Sequence, residues 1–181
     1  MKNSDKQKRD GLSHSANRLL EDCQYSSTQN FILANYLGKL YYILGFITAF
    51  SAFLVIFTNE TYLSSYDSII PSASVSALVS STIVTIWNPS NKSELYQRLG
   101  NQYLSIQKRI QKVLDLDVSN ENIPGEEVRI EIDKLYEERE SLYDKHSELT
   151  IPNWVHRKAK KIIKRGDKMY EFEKAKKDDF T

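Results

Sequence analysis

The strongest constraint on this chain is an uncharged run of nineteen residues, LYYILGFITAFSAFLVIFT, from Leu40 to Thr58. As a helix, the run would be about 28 Å long at 1.5 Å per residue, close to the ~30 Å hydrocarbon core of a bilayer. Eleven of its residues are Leu, Ile, Phe or Val, and together they favour membrane insertion by about 3–7 kcal/mol. Lys39 and Tyr41 suit the membrane interface. A core helix of a soluble protein is the alternative, and we expect a membrane span.

A second uncharged run, from Ile69 to Trp87, predicts the return arm of a membrane hairpin. It also has nineteen residues, but only eight are strongly apolar, so its insertion alone would be marginal. Pro71 suits a first helical turn, where its missing N–H costs nothing, and Trp87 suits the far interface. The run lacks the strict alternation of a strand.

The charges beside the two runs predict the orientation of the hairpin. From residue 40 to residue 87 only Glu60 and Asp67 are charged, and the connecting loop 59–68 has no Lys or Arg. Lys and Arg occur on the outer side of both runs. Because positive charges favour the cytoplasmic side, we expect two spans with both termini in the cytoplasm.

One face of the second run consists of small residues. On a helical wheel, at about 100° per residue, they separate from a bulky face suited to lipid. The small face, which would let another helix approach closely, comprises Ser72, Ala73, Ser76, Ala77 and Ser80. The expected match in the first run is Gly45 and Ala49, four residues apart.

Ser74, Ser81 and Thr85 form a narrow stripe of hydroxyl groups between the small face and the bulky face. Two interpretations are open. The hydroxyls bond neighbouring helices and hold an assembly together, or they line a water-filled passage. Because two helices cannot enclose a pore, the second interpretation requires a homo-oligomer.

The residues after Trp87 predict two cytoplasmic helices that pack as an antiparallel hairpin. Asn88 and Pro89 suit a helix start, and VSNENIPG, residues 118–125, suits the turn. Gly100 costs about 1 kcal/mol in helix propensity, which indicates a close helix contact. Spacing of three and four residues gives a helical seam that comprises Leu99, Tyr103, Ile106, Ile110, Ile132, Leu135, Arg139, Leu142 and His146.

A basic segment follows the break at Pro152. From Val155 to Lys177 there are ten Lys or Arg residues against three acids. Beside a membrane, such a segment suits contact with anionic lipid headgroups or with a partner; a solvated tail helix is the alternative. A net charge of +1 gives no general attraction to nucleic acid, and we expect none to bind. The candidate contact residues are Lys158, Lys161, Lys164 and Arg165.

No pattern typical of catalysis occurs in the sequence. The single cysteine, Cys23, builds neither an intrachain disulfide nor a cysteine metal site. The three histidines, His14, His146 and His156, lack metal-ligand spacing, and there is no Gly-rich phosphate loop. We therefore expect a protein that is not an enzyme and that binds no cofactor or metal.

Two closely spaced spans, then Asn88-Pro89 and a helical hairpin, resemble the SLATT family (SMODS- and SLOG-associating two-transmembrane effector domain). The segment ELTIPNWVHRKAKKI also resembles the closing break and short helix of that family, and Tyr96 stands where many members have His. The resemblance covers roughly residues 30–165. The segment YQRLGNQYLSIQKRI resembles the family pattern of a Gly, then a Tyr three residues later, then an apolar residue and basic residues, here Gly100, Tyr103, Ile106, Lys108 and Arg109.

The resemblance implies a membrane effector of a bacterial antiphage or conflict system, located in the inner membrane. Such an effector would oligomerise to form a pore or disrupt the membrane, causing dormancy or death. Many such systems fuse a sensor domain to the effector. Here we expect control by a nucleotide second messenger or by a separately encoded protein that makes or senses one. The competing expectation is a non-conducting, membrane-anchored coiled-coil scaffold or regulatory subunit.

The expected fold is all-α, with a two-helix transmembrane hairpin, a cytoplasmic antiparallel helical hairpin or coiled coil, and a basic C-terminal helix. The expected divisions are a flexible cytoplasmic N-terminus at 1–27, a lead-in helix and membrane hairpin at 28–87 (spans about 40–58 and 69–87), the cytoplasmic hairpin at 88–150, and the basic helix and tail at 151–181.

Overall fold

The computed structural model describes residues 2–60, 69–118 and 124–165, and these residues form helices and short connections without strands. The first three helices are α1, Lys2–Glu60, α2, Ile69–Trp87, and α3, Pro89–Lys112. A π-helical segment, Val113–Val118, continues α3, and α4, Gly125–Lys145, and α5, Asn153–Lys164, follow. The prediction of an all-α fold is confirmed.

Helix α1 is one continuous helix of 59 residues. The N-terminal residues expected to be flexible form its first half, from Lys2 onward. Their few apolar side chains explain the difference, because Ala16, Leu19 and Cys23 recur at steps of three and four and are all fully buried. A sparse helical stripe within a polar segment is therefore enough to hold this half of α1 against other helices.

The described residues divide into two compact units, with boundaries inside α1, after Ile32, and inside α3, after Gln97. We call residues 33–97 the apolar unit, and residues 2–32 together with 98–165 the charged unit. The boundaries thus fall within helices, and not in the loops between them.

Four helices supply the core of the charged unit. Its buried apolar side chains comprise Ala16, Leu19 and Cys23 of α1, Leu99, Tyr103, Ile106 and Ile110 of α3, Val128, Ile132, Leu135 and Leu142 of α4, and Val155 and Ala159 of α5. Arg109 of α3 lies 2.5 Å from Glu138 and 3.8 Å from Glu131 of α4. The first half of α1 and helix α5 therefore pack together with the two helices of the predicted hairpin.

The helix ends in this unit carry charges that suit the helix dipole. Helix α4 begins with Glu126 and Glu127 and ends with Lys145, while α5 has Lys161 and Lys164 in its last turn. Acidic side chains near the N-terminus and basic ones near the C-terminus each contribute about 0.3–1 kcal/mol.

Among the described residues, one helix is long and apolar enough to cross a membrane by length and composition. It is the Arg9–Ile56 part of α1, in which the most apolar stretch is only 11% buried. The predicted second span, residues 69–87, forms α2 but is not found as a second such helix. The described residues therefore show one candidate span, in α1, where the sequence predicted two.

Candidate functional site

In the apolar unit, α1 and α2 are joined by two pairs of hydroxyl groups. Thr48 Oγ1 lies 2.7 Å from Ser80 Oγ, and Ser51 Oγ lies 2.6 Å from Ser76 Oγ. Ser51 and Ser80 are 5% and 3% exposed. Because the partner number in α2 falls as the number in α1 rises, the two helices run antiparallel.

The small face of α2 lies partly within this contact. Ala73 and Ser80 are buried, Ser76 and Ala77 are half-buried, and Ser72 is exposed. Since small side chains let helix backbones approach closely, the buried part of the face explains how the serine hydroxyls reach α1.

The expected match on α1, Gly45 and Ala49, lies outside this contact. Gly45 and Ala49 are exposed, and a Cβ added to Gly45 would meet no atom within 4 Å. Thr48 and Ser51 take the contact instead. The sequence signal for this was present in the two hydroxyl residues, which stand three apart in an otherwise apolar run.

The residues of the hydroxyl stripe take no part in the hydroxyl pairs that join α1 and α2. Ser74 and Thr85 are exposed and Ser81 is half-buried. Ser81 Oγ donates to the Leu78 carbonyl at 3.0 Å, and Thr85 Oγ1 donates to the Ser81 carbonyl at 2.9 Å. The donors of Ser81 and Thr85 are therefore satisfied by their own helix, while their oxygens keep lone pairs for water or for another helix.

The start of α3 is fixed by Asn88. Its φ of 45° lies in the left-handed region, which asparagine tolerates better than most residues. Its Oδ1 accepts a hydrogen bond of 3.2 Å from the backbone N–H of Asn91, as an N-cap does. Lys92 Nζ lies 5.1 Å from the ring centroid of Trp87. These contacts set the turn by which the chain leaves α2.

Two predicted seam residues of the charged unit are not fully buried. Arg139 lies 3.9 Å from Asp22 of α1 and also bonds Glu140, while its Nε is buried without a hydrogen-bond partner among the described residues. Burial lowers the pKa of the Arg139 guanidinium, but the hydrogen bond and charge of Glu140 outweigh it, so that the pKa is raised overall. His146 is half-buried and caps the C-terminal end of α4.

A polar contact between α1 and α5 was missed by the sequence reasoning. The Tyr25 hydroxyl donates to the His156 carbonyl at 2.9 Å, and Gln29 Nε2 lies 2.8 Å from His156 Nδ1. Gln29 is 4% exposed, so that its amide needs this partner. These residues are far apart in sequence, and no local spacing signals their pairing.

The candidate lipid-contact residues, which are Lys158, Lys161 and Lys164 of α5 and Arg165 directly after it, are all exposed. Among the described residues, no cluster of three or more His, Cys, Asp or Glu side chains is arranged to hold a metal ion.

Comparison of this chain with protein-family models, with curated proteins and with solved structures finds no match. The resemblance to the SLATT family accordingly rests on the sequence segments named above.

Proposed function

We propose that this chain is a membrane effector that crosses the bilayer with residues 40–58 of α1 and returns with α2. The observation that carries the proposal is the apolar outer surface of the apolar unit. Tyr42, Phe46 and Ile56 of α1 and Leu78 and Ile86 of α2 are 62–81% exposed. Each large apolar side chain left in water forgoes about 1.5–3 kcal/mol, and exposed apolar patches of this kind mark membrane or protein contacts. Lipid would cover this surface.

The contacts of the charged unit support a return crossing. The Tyr136 hydroxyl donates to the Ser15 carbonyl at 3.3 Å, and Asp22 faces Arg139. Ser15 and Asp22 precede the proposed span, whereas Tyr136 and Arg139 follow α2. Because both sides of each pair must share one aqueous compartment, a chain that crosses at 40–58 must cross back before residue 136. Among the described residues, α2 is the helix suited to that crossing.

The hydroxyl pairs support burial of the α1–α2 contact in lipid. A polar group in hydrocarbon needs an internal partner, and Thr48, Ser51, Ser76 and Ser80 supply partners to one another. Hydrogen bonds of this kind contribute about 0.6 kcal/mol each in membrane proteins. With positive charge on the outer flanks of both helices, both termini would lie in the cytoplasm.

The resemblance to the SLATT family and the hydroxyl stripe, in which Ser74 and Thr85 are exposed, support an effector role. We propose that several copies assemble in the bacterial inner membrane and that Ser74, Ser81 and Thr85 then face a water-filled passage. The trigger would be a nucleotide-type signal or a partner protein acting on the charged unit.

A non-conducting scaffold is the second candidate, and one observation favours it. The hydroxyl groups of Ser81 and Thr85 already donate to their own helix, so α2 can face lipid without water in the stripe. In that case the hairpin would only anchor the charged unit as a docking platform.

Leakage from vesicles separates the two candidates. The full chain would be reconstituted in anionic-lipid vesicles, and dye and ion leakage measured with and without cyclic nucleotides. We expect Ser74→Leu, Ser81→Leu and Thr85→Leu together to abolish leakage while insertion is retained. The matched control is Val75→Leu, Val79→Leu and Ile86→Leu, on the exposed bulky face, which should leave leakage intact.

The outcomes distinguish a pore lined by the hydroxyl stripe from a hairpin that only anchors the charged unit. Leakage that persists in the hydroxyl-stripe variant would contradict the lining role of these three residues. Inserted, oligomeric protein that does not leak under any condition, and whose cellular role survives replacement of 40–87 by an unrelated hairpin, would favour the scaffold.

A further inference from the structure

Helix α5 is held on the charged unit by one side. Val155 and Ala159 are fully buried, and His156 between them is bonded to Tyr25 and Gln29 of α1. The rings of Tyr25 and His156 also stack, with centroids 6.3 Å apart. The helix is thereby fixed in one orientation, and its other side is presented to solvent.

The solvent side of α5 is cationic. At about 100° per residue, six Lys and Arg positions fall within an arc of about 160° opposite Val155 and Ala159. All six are exposed: five lie in α5, namely Arg157, Lys158, Lys160, Lys161 and Lys164, and the sixth is its C-cap residue, Arg165. No residue of α5 is acidic, and none of the six forms an ion pair with another described residue. We call these residues, with Trp154, the α5 face.

Trp154 lies within the same arc and is 36% exposed. An acidic protein surface would match the six cations but not the exposed apolar part of the indole ring. A phospholipid interface matches both, because tryptophan prefers the boundary between headgroups and acyl chains, and Lys and Arg bind anionic headgroups.

We infer that the α5 face docks on anionic phospholipid headgroups of the membrane that the chain crosses, with Trp154 at the interface. The inference rests on the proposed function, because a chain anchored in the bilayer presents α5 to lipid at a high effective concentration. Docking would couple the charged unit, which receives the signal, to the surface charge of the membrane.

Tryptophan fluorescence of the full chain tests the inference. The chain has two tryptophans, so Trp87→Phe leaves Trp154 as the only reporter. The protein is reconstituted in mixed vesicles of zwitterionic phosphatidylcholine and anionic phosphatidylglycerol, in which one or the other lipid is brominated. We expect brominated phosphatidylglycerol to quench Trp154 about twofold more than brominated phosphatidylcholine, and the preference to vanish at high salt, where the charges are screened.

Charge-neutral variants give the matched comparison. Lys158→Gln, Lys161→Gln and Lys164→Gln together should abolish the preference for the anionic lipid. The control is Lys112→Gln, Lys134→Gln and Lys145→Gln, which removes the same charge from exposed positions of α3 and α4 and should keep the preference. Equal quenching by both lipids in the parent protein would overturn the inference, as would loss of the preference in both triple variants.

The companion chain with Trp154→Phe separates this inference from the proposed function. Its Trp87 should be quenched by either brominated lipid if α2 enters the bilayer. Quenching of Trp87 without quenching of Trp154 overturns the docking of α5 alone, whereas an unquenched Trp87 overturns the membrane hairpin and the inference with it. An oligonucleotide that shifts Trp154 emission where anionic lipid does not would assign the α5 face to nucleic acid.

Discussion

Gly100 is required by the ring of Phe31. A Cβ added at position 100 would lie 2.7 Å from Phe31 Cε1 and 2.9 Å from Cδ1, closer than packed carbon atoms approach. We expect Gly100→Ala to lower the free energy of unfolding by about 1–3 kcal/mol, because the ring and the helix must move apart. Urea unfolding of the detergent-solubilised chain measures the effect. Gly11→Ala is the control, since a Cβ there meets nothing within 4 Å and alanine favours the helix by about 1 kcal/mol. Equal stability of both variants would contradict the contact.

Cys23 is expected to be chemically inert in the folded protein. Burial raises the pKa of its thiol from 9.0 to about 12, although Arg139 opposes the shift. Because the folded pKa lies above the unfolded one, the buried thiol stabilises the fold below about pH 9, and this contribution falls as the pH rises toward 12. At pH 8 we expect iodoacetamide to modify native Cys23 at least about 100-fold more slowly than the urea-unfolded chain.

A cysteine moved to an exposed position shows how fast iodoacetamide reacts with an accessible thiol of the folded protein. Ser15 is exposed on the same helix, so Ser15→Cys in a Cys23→Ser background should react at nearly the unfolded rate. Fast modification of native Cys23 would mean that the first half of α1 is not packed as described.

Features that depend on neighbouring residues could be predicted from the sequence, whereas contacts between residues far apart in the sequence could not. Asn88 and Gly100 each leave a local signal, because a cap precedes a proline and a glycine interrupts a helix. Gln29 and His156 leave none, since their contact joins residues more than a hundred positions apart. Spacing predicts the seam position of Arg139, but its ion pair with Asp22 depends on the first half of α1, a segment predicted to be flexible.

At the scale of helices, the α1–α2 contact predicts a specific disulfide. Ser51 Oγ and Ser76 Oγ are 2.6 Å apart, so cysteines at these positions would have side chains within reach of a disulfide bond. We expect Ser51→Cys with Ser76→Cys, in a Cys23→Ser background, to oxidise within one chain and to shift its mobility on a non-reducing gel. Ser51→Cys with Ser81→Cys should not, because Ser81 lies outside the paired hydroxyls. Crosslinked dimers without the intrachain product would instead indicate that the two helices pair between chains.

The helices themselves were largely predictable, because apolar residues at steps of three and four specify α3, α4 and α5. The first half of α1 escaped because three small or medium apolar side chains in a polar segment give a weak periodic signal. Gly45 and Ala49 lie outside the α1–α2 contact for a different reason. Small size permits a close helix contact, but the paired hydroxyls of Thr48 and Ser51 also gain hydrogen bonds there.

At the scale of the whole molecule, the number of crossings decides the topology. One candidate span is found in α1, yet residues on both sides of it meet in the charged unit, where Ser15 bonds Tyr136 and Asp22 faces Arg139. A single crossing would place these partners on opposite sides of the membrane and break the unit. The folded charged unit and a membrane-spanning α1 are therefore compatible only with an even number of crossings.

Cysteine accessibility in intact cells tests this topology. In a Cys23→Ser background, we expect a membrane-impermeant maleimide to label Ser64→Cys, whose position lies between α1 and α2 in the sequence, from outside. Ser15→Cys and Ser141→Cys, which are exposed on α1 and α4, should be labelled only after the cells are permeabilised. Labelling of position 15 and position 141 from opposite sides would establish one crossing and contradict the pairing of α1 with α4. Protection of all three positions until permeabilisation would instead mean that α1 does not cross, so that its exposed apolar face would have to be covered by protein.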